Sequence, residues 1–349
     1  MAFYRLVLLY SLLFLFQPGM YAQHILSSFQ LSGRQGAPEV AFPFLLIDSD
    51  ARAGGYGDAG AATSADANAM YWNPSKLPFT EKDAGISVSQ LPWLRALVPD
   101  INLTAVSAYY KLTPNQCLGA SFRYFSLGDV IAFNPATTYG FKLQTYETAY
   151  DLAYCRKLGN HFSLAVTASY FYSLFTNAGV PITQGIKPVT DLGGGVSAFY
   201  HNNELQLLHK HVVWNIGLNL SNAGPDIHYN DPVRKDTLPT MLRLGSALTM
   251  DFNPEHSLTV LADVSHLILP THSFYNISAG LEYWNKHNFA LRTGYYYEDV
   301  NSGNGNYLCL GTGFRFKGIT LDFSYLLPWY ERNPLENTFK VSLGYAFNG

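Results

Sequence analysis

HFSLAVTASYFYSL, residues 161–174, alternates with a period of two. Phe162, Leu164, Val166, Ala168, Tyr170, Tyr172 and Leu174 share one parity. Ser163, Ala165, Thr167, Ser169 and Ser173 share the other, with Phe171 the one large side chain among them. Successive side chains of a strand point to opposite faces, so this stretch reads as a strand with one apolar and one small or polar face. Whether the apolar face meets a protein core or lipid decides the fold.

The same alternation recurs from about Gly85 onward. QCLGASFRYFSL, FKLQTYETAYDLAYCRKLG, HVVWNIGLNLSN, HSLTVLADVSHL, YNISAGLEYW, ITLDFSYLLPWY and TFKVSLGYAF all carry it. About fourteen such segments follow one another, each near the ~9–11 residues of a tilted spanning strand. The connections alternate in length. TPNQ, LGNH, FNPE, NKH and the Lys317-Gly318 turn are short, whereas LGDVIAFNPATTYG, FTNAGVPITQGIK and NAGPDIHYNDPVRKDT are long. NNELQLLHK, between strands six and seven, is of middling length where a short turn belongs. Tight turns on one side and longer loops on the other are the pattern of an outer-membrane barrel, the tight turns lying in the periplasm.

The parities agree. In HVVWNIGLNL, Val212, Trp214, Ile216, Leu218 and Leu220 oppose Asn215, Gly217 and Asn219. In HSLTVLADVS, Leu258, Val260, Ala262 and Val264 oppose Ser257, Thr259 and Asp263. Charges fall on the polar parity and balance in sign: Asp151, Asp191, Asp263, Glu282 and Asp322 against Arg123, Arg243, Arg292, Arg315 and Lys340. Gly193, Gly195, Gly311 and Gly313 share that side. The apolar parity is therefore expected to face lipid and the polar parity a crowded lumen in which the charges pair. A closed barrel is the sheet that can span, because it leaves no unpaired edge. The last strand, running to Phe347, is expected to close it against the first. Cys117, Cys155 and Cys309 read as small inward fillers, not as a disulfide framework or a metal motif.

Composition fits this class. Of 349 residues, 13% are charged and 15% aromatic, and mean hydropathy is zero. That is too polar for a helical membrane protein but suits a barrel, in which every second residue is apolar. A net charge of −3 gives no reason to expect nucleic acid as a partner. MAFYRLVLLYSLLFLFQPGMYAQ has the layout of a secretory signal, with Arg5, an apolar run Leu6–Phe16 and the breaker Pro18-Gly19. Residues 1–22 are expected to be that signal, cleaved after Ala22 or close by. ARAGGYGDAGAATSADANAMYWNPSKLPF is small, Gly/Ala-rich and not strand-like. Residues 23–80 are expected to form a plug or hatch in the lumen, with Arg52, Trp72, Asn73 and Pro74 as its marked residues, and residues 81–349 the barrel.

Candidates for chemistry are weak. Asp263, Ser265 and His266 crowd one strand, but His266 has the opposite parity, so the three cannot converge as a triad. His209-Lys210-His211 reads as a polar turn, and GGYGDAG does not follow a strand and open a helix as a phosphate loop does. No enzymatic activity, cofactor or metal is expected. Two loops stand out instead. LPWLRALVPD follows the first strand and LLPWYERNPL ends the thirteenth, both on the outer side and adjacent where the barrel closes. Pro92, Trp93, Leu94 and Leu97, with Pro328, Trp329 and Tyr330, fit either an interfacial aromatic girdle or a docking patch for a protein partner.

From Ala41 to Asp129 the chain resembles the PorV family, outer-membrane proteins of the Bacteroidetes type IX secretion system within the wider FadL-like barrels. DARAGG, the Asn-Pro pair after an aromatic, PWLR and RYFSLG stand in order. Asn73-Pro74-Ser75 stands where FadL-like hatches usually carry Asn-Pro-Ala. The resemblance implies a fourteen-stranded barrel that is not chiefly a pore and lies in the cell outer membrane among its lipids. It also implies a role: to bind the type IX translocon barrel, to receive secreted cargo proteins bearing a C-terminal signal domain, and to carry them to a surface attachment complex with a sortase-like subunit. A lipopolysaccharide O-deacylase activity has been suggested for the family, and these residues present no site for it. The alternative is a FadL-type channel for hydrophobic molecules with Arg52–Phe79 as a movable hatch, which needs an apolar pocket reached from outside.

Overall fold

The computed structural model describes residues 40–348 except 96–99, 134–139, 175–187, 208, 228–235, 270–272, 287, 299–305 and 330–332. The expected signal sequence therefore lies outside the described residues, as do Leu97 and Tyr330.

Each alternating segment is a strand. The first four are β1 (Ala84–Pro92), β2 (Asn102–Thr113), β3 (Gln116–Phe133) and β4 (Gly140–Lys157). Next come β5 (Phe162–Ser173), β6 (Val189–Leu207), β7 (Lys210–Ala223), β8 (Thr240–Asn253) and β9 (His256–Ile268). The last five are β10 (Ser273–Asn285), β11 (Phe289–Glu298), β12 (Tyr307–Phe316), β13 (Ile319–Pro328) and β14 (Phe339–Phe347). Each pairs antiparallel with its sequence neighbour, and β14 pairs with β1 from Ala84↔Phe347 to Gln90↔Val341, closing the barrel.

Turn chemistry sets the register at one end. Lys317 and Gly318 both have positive φ, 48° and 85°. Positive φ at both central residues is the type I′ geometry that matches strand twist. The other tight connections, at Pro114-Asn115, Leu158–His161, Pro254-Glu255 and Lys286–Asn288, lie at the same end. That end is periplasmic by the short-turn rule and the opposite end is outer.

Two connections differ from the sequence reading. LGDVIAFNPATTYG is mostly strand, because β3 continues to Phe133 and β4 starts at Gly140. A register shift between Ser126 and Asp129, with Gly128 at φ 78°, carries the ladder past the break in alternation. NNELQLLHK is likewise strand: β6 runs to Leu207 with a shift between Asn202 and Leu205, and only residues 208–209 connect it to β7. Both bulges hide the strand by interrupting its period.

The parities sort as the sequence implies. Leu152 is 67% exposed, Val166 62% and Leu192 66%, on an apolar outer face edged by Tyr110, Tyr154 and Phe316 at the periplasmic end and Tyr124, Tyr275 and Tyr297 at the outer end. Ser163, Ser173, Ser324 and all three cysteines are fully buried inside. Among the described residues no helix is long and apolar enough to cross a membrane. The strands do so.

Candidate functional site: the filled lumen and the outer rim

The lumen is occupied by the chain's own N-terminal segment. Residues 41–80 contain only short helical turns, Pro43–Leu46, Ala51–Gly54, Ala69–Trp72 and Pro74–Phe79. Ala, Gly and Pro make such a chain narrow and irregular, and wall glycines let it approach closely. A Cβ on Gly217 would overlap the Ala61 carbonyl, and one on Gly294 would overlap the Tyr56 backbone.

The segment starts near the outer end. Phe42, Phe44 and Leu45 are fully buried among Leu91, Leu103, Phe125 and Phe171. Phe44 stacks on Phe125 at 5.8 Å, and Phe42 lies 5.6 Å from Phe171. The odd inward Phe171 of the opening stretch is thus a plug contact. This apolar end was not evident from the inner parity as a whole, because each strand contributes only one such side chain.

Below it the contacts are ionic. Arg52 meets Glu282 through Nε and Nη2 at 3.0 and 2.9 Å and Asp66 at 2.9 Å. Arg292 joins Glu282 at 2.7 Å to Asp322 at 2.7 Å. Lys340 holds Asp48 at 3.0 Å and Asp58 at 2.6 Å. Asp263 accepts from the backbone N–H groups of Gly60 and Ala61 at 2.7 and 2.8 Å, and Ser265 faces inward beside it while His266 stacks outside on Tyr275. Of the expected inner charges, Asp191 is half-buried and Arg315 is exposed at the periplasmic end over the Trp284 ring. The rest are buried.

The marked plug residues are all fixed. Trp72 donates to Asp50 at 3.2 Å. Asn73 donates to the Ala61 and Ala198 carbonyls at 3.0 and 3.1 Å and accepts from the Ser75 N–H. Pro74 opens the following turn, whose Ser75 reaches Ser197 and Ser163 of the wall. Burial, with the nearby carboxylates of Asp66, Asp48 and Asp322, pushes the Asp50 carboxyl up to about 8. Burial raises Asp48 to about 6 against the pull of Lys340. Lys76, 1% exposed, donates to the Gly60 carbonyl and Thr63 hydroxyl at 2.6 and 3.0 Å, and burial lowers its ammonium to about 8. Glu282 and Lys340 belong to the inward charges read from parity, but the sequence reading does not single out their plug partners Asp48, Asp50 and Asp58. The signal available for Asp48 and Asp50 is their alternation with Arg52 in DSDAR.

At the outer rim the two expected loops do meet. Arg95 lies over the Phe339 ring at 5.9 Å, and Trp93 and Leu94 pack against the cluster of Tyr307, Cys309, Leu326 and Leu335. The tryptophans themselves diverge. Trp93 continues the inward parity of Ser87, Ser89 and Leu91 and also covers the apolar plug end. Trp329 continues the outward parity of Phe323 and Leu327 and is 70% exposed. Pro92 and Pro328 are the last residues of their strands.

The family model described as Type IX secretion system protein PorV matches residues 33–274, spanning the plug and β1 to the start of β10. The chain belongs to the PorV family. This PorV-family barrel is an integral outer-membrane protein. In fold it is similar to the toluene transporter TodX of Pseudomonas putida, with 11% identity, TM-score 0.53, 85% of this chain and 97% of that one covered. It is also similar to CymD, a monoaromatic hydrocarbon channel, with 13% identity, TM-score 0.51, 88% and 100% covered. At such identity the likeness is one of fold alone. The sequence finds no significant match among curated proteins.

Proposed function

We propose that this PorV-family protein is a non-enzymatic cargo shuttle of type IX secretion. It takes secreted proteins bearing a C-terminal signal domain from the translocon barrel to the surface attachment complex with its sortase-like subunit. The observation that carries this reading is the filled lumen. A segment packed by apolar side chains at the outer end and held by buried ion pairs below it leaves recognition to the outer loops. The joined β1–β2 and β13–β14 loops are the surface we assign to it, Trp329 giving exposed aromatic area and Trp93 holding the loops in place. Exposed aromatic surface over a packed base is the usual make-up of a protein-binding hot spot.

The reading is tested by purifying the protein from its native outer membrane in mild detergent and identifying what comes with it. A very large barrel, or secreted proteins sharing one C-terminal domain, is expected, with recovery reduced by Trp329→Ala. A partnerless barrel whose presence speeds hydrocarbon uptake would overturn the reading in favour of the FadL-type channel.

A further inference from the structure

Between the plug and the β3–β8 side of the wall lies a cavity of about 30 Å³. Arg123 of β3, Asp151 of β4, Asn219 of β7, Arg243 of β8 and Tyr71 of the plug face it. Gly194 and Gly195 also line it, at the register shift of β6 against β7 between Gly194 and Val196.

Its charges do not cancel. Asp151 is the one carboxylate lining it, and it is already engaged by Ser121 at 2.7 Å, Ser169 at 2.6 Å and Arg123 at 3.4 Å. Arg243 is 4% exposed. Its guanidinium donates to the Ser221 hydroxyl and the Tyr71 hydroxyl, both at 3.3 Å, and lies 5.0 Å from the centre of the Tyr71 ring. Among the described residues no carboxylate comes within ion-pair distance of it, the inward acids Glu147, Asp191 and Asp263 included. Two further donors are buried with no acceptor, Arg123 Nη1 and Asn219 Nδ2. Asp263 acts on Arg243 only from beyond ion-pair contact. An unpaired buried donor bears its full desolvation penalty, and a buried cation with no carboxylate in contact bears a larger one. Water would satisfy the two donors but leave the surplus positive charge.

We propose that this cavity binds a small monovalent anion of halide size, held by Arg123, Asn219 and Arg243, and that the ion fastens Tyr71 of the plug to the wall. One negative charge brings the lining to neutrality, and a species that only accepts hydrogen bonds matches the donors that line the cavity. The volume takes one small ion or a water or two and is far short of an alkyl tail. The inference is independent of how cargo is handled.

Crystals of the full protein soaked in sodium bromide test it directly. An anomalous peak at the bromine edge is expected within hydrogen-bond reach of Arg123 Nη1 and Asn219 Nδ2. A second test compares melting in sodium bromide and in sodium gluconate of equal ionic strength. The small anion is expected to raise the midpoint by about 3 °C. Arg243→Gln and, should that variant not fold, Asn219→Leu are expected to abolish the difference. Water density without an anomalous peak, or the same bromide effect in wild type and variant, would overturn the proposal.

Discussion

Lys76 carries an ammonium where water does not reach, with only a carbonyl and a hydroxyl to receive its protons. Its folded-state value, lowered from 10.5 to about 8, means that the unfolded chain binds more protons between those limits. Stability therefore rises with pH across that window, by an amount on the order of 3 kcal/mol for this group. Lys76→Met is expected to lose the rise. Urea midpoints in detergent at pH 7.5 and 10.5 measure it, and parallel pH dependence in the two proteins would show that Lys76 is not the source. Parity made the inner position of Asp263 legible from sequence, but no local pattern says that its partners are backbone N–H groups more than 200 residues earlier. The opposite aim of Trp93 and Trp329 was legible in principle. Each simply continues its strand's alternation past the last paired residue, and the shared Pro-Trp spelling draws attention away from that.

At the scale of elements, the N-terminal segment is joined to the wall by unlike contacts that fail differently. Truncating one member of a buried ion cluster strands its partner, whereas removing both does not. Arg52→Met is expected to destabilise the protein by about 3–5 kcal/mol. Adding Glu282→Leu should recover more than ~1 kcal/mol of the summed single effects, the mark of directly coupled residues. Strictly additive unfolding energies would mean that the cluster does not act as a unit. Phe44→Ala tests the apolar end. Phe-to-Ala truncation in a core costs about 3–5 kcal/mol and leaves a dry cavity able to take a benzene-sized guest. Toluene is expected to raise the melting point of that variant and leave wild type unchanged. A toluene shift in wild type would mean that the apolar end is already an open site. Strand identity was legible because alternation is a local property. The extensions of β3, β4 and β6 were not, because a bulge interrupts the alternation while the hydrogen-bonded ladder continues on its far side. That AFPFLL lies at the outer end depends on Phe125 and Phe171, contacts set by closure of the whole sheet.

The described barrel is a closed wall around a filled interior. Reconstituted in a planar bilayer, the protein is expected to show no steady porin-like conductance, and a variant lacking residues 41–79 is expected to conduct. Steady conductance of the intact chain would contradict the packing described here. The fold, the membrane and the family were readable from parity, turn lengths and a few motifs. Which plug side chains meet which wall side chains required the three-dimensional arrangement.

The filling segment runs from the outer mouth, at Phe42, to the periplasmic end, where residues 80–83 lead into β1. It is therefore leashed at the bottom, and this gives the molecule a mechanical polarity. Tension drawn from the periplasm peels its attachments one after another, beginning with Ser75 on Ser163 and Ser197, then Asp263, then the Arg52 and Lys340 clusters, and only at the end the phenylalanines. Tension drawn from outside meets the phenylalanines first, and after every attachment has given way it still meets the leash. The same stopper can be unfastened from either side but stays tethered to the wall at its periplasmic end.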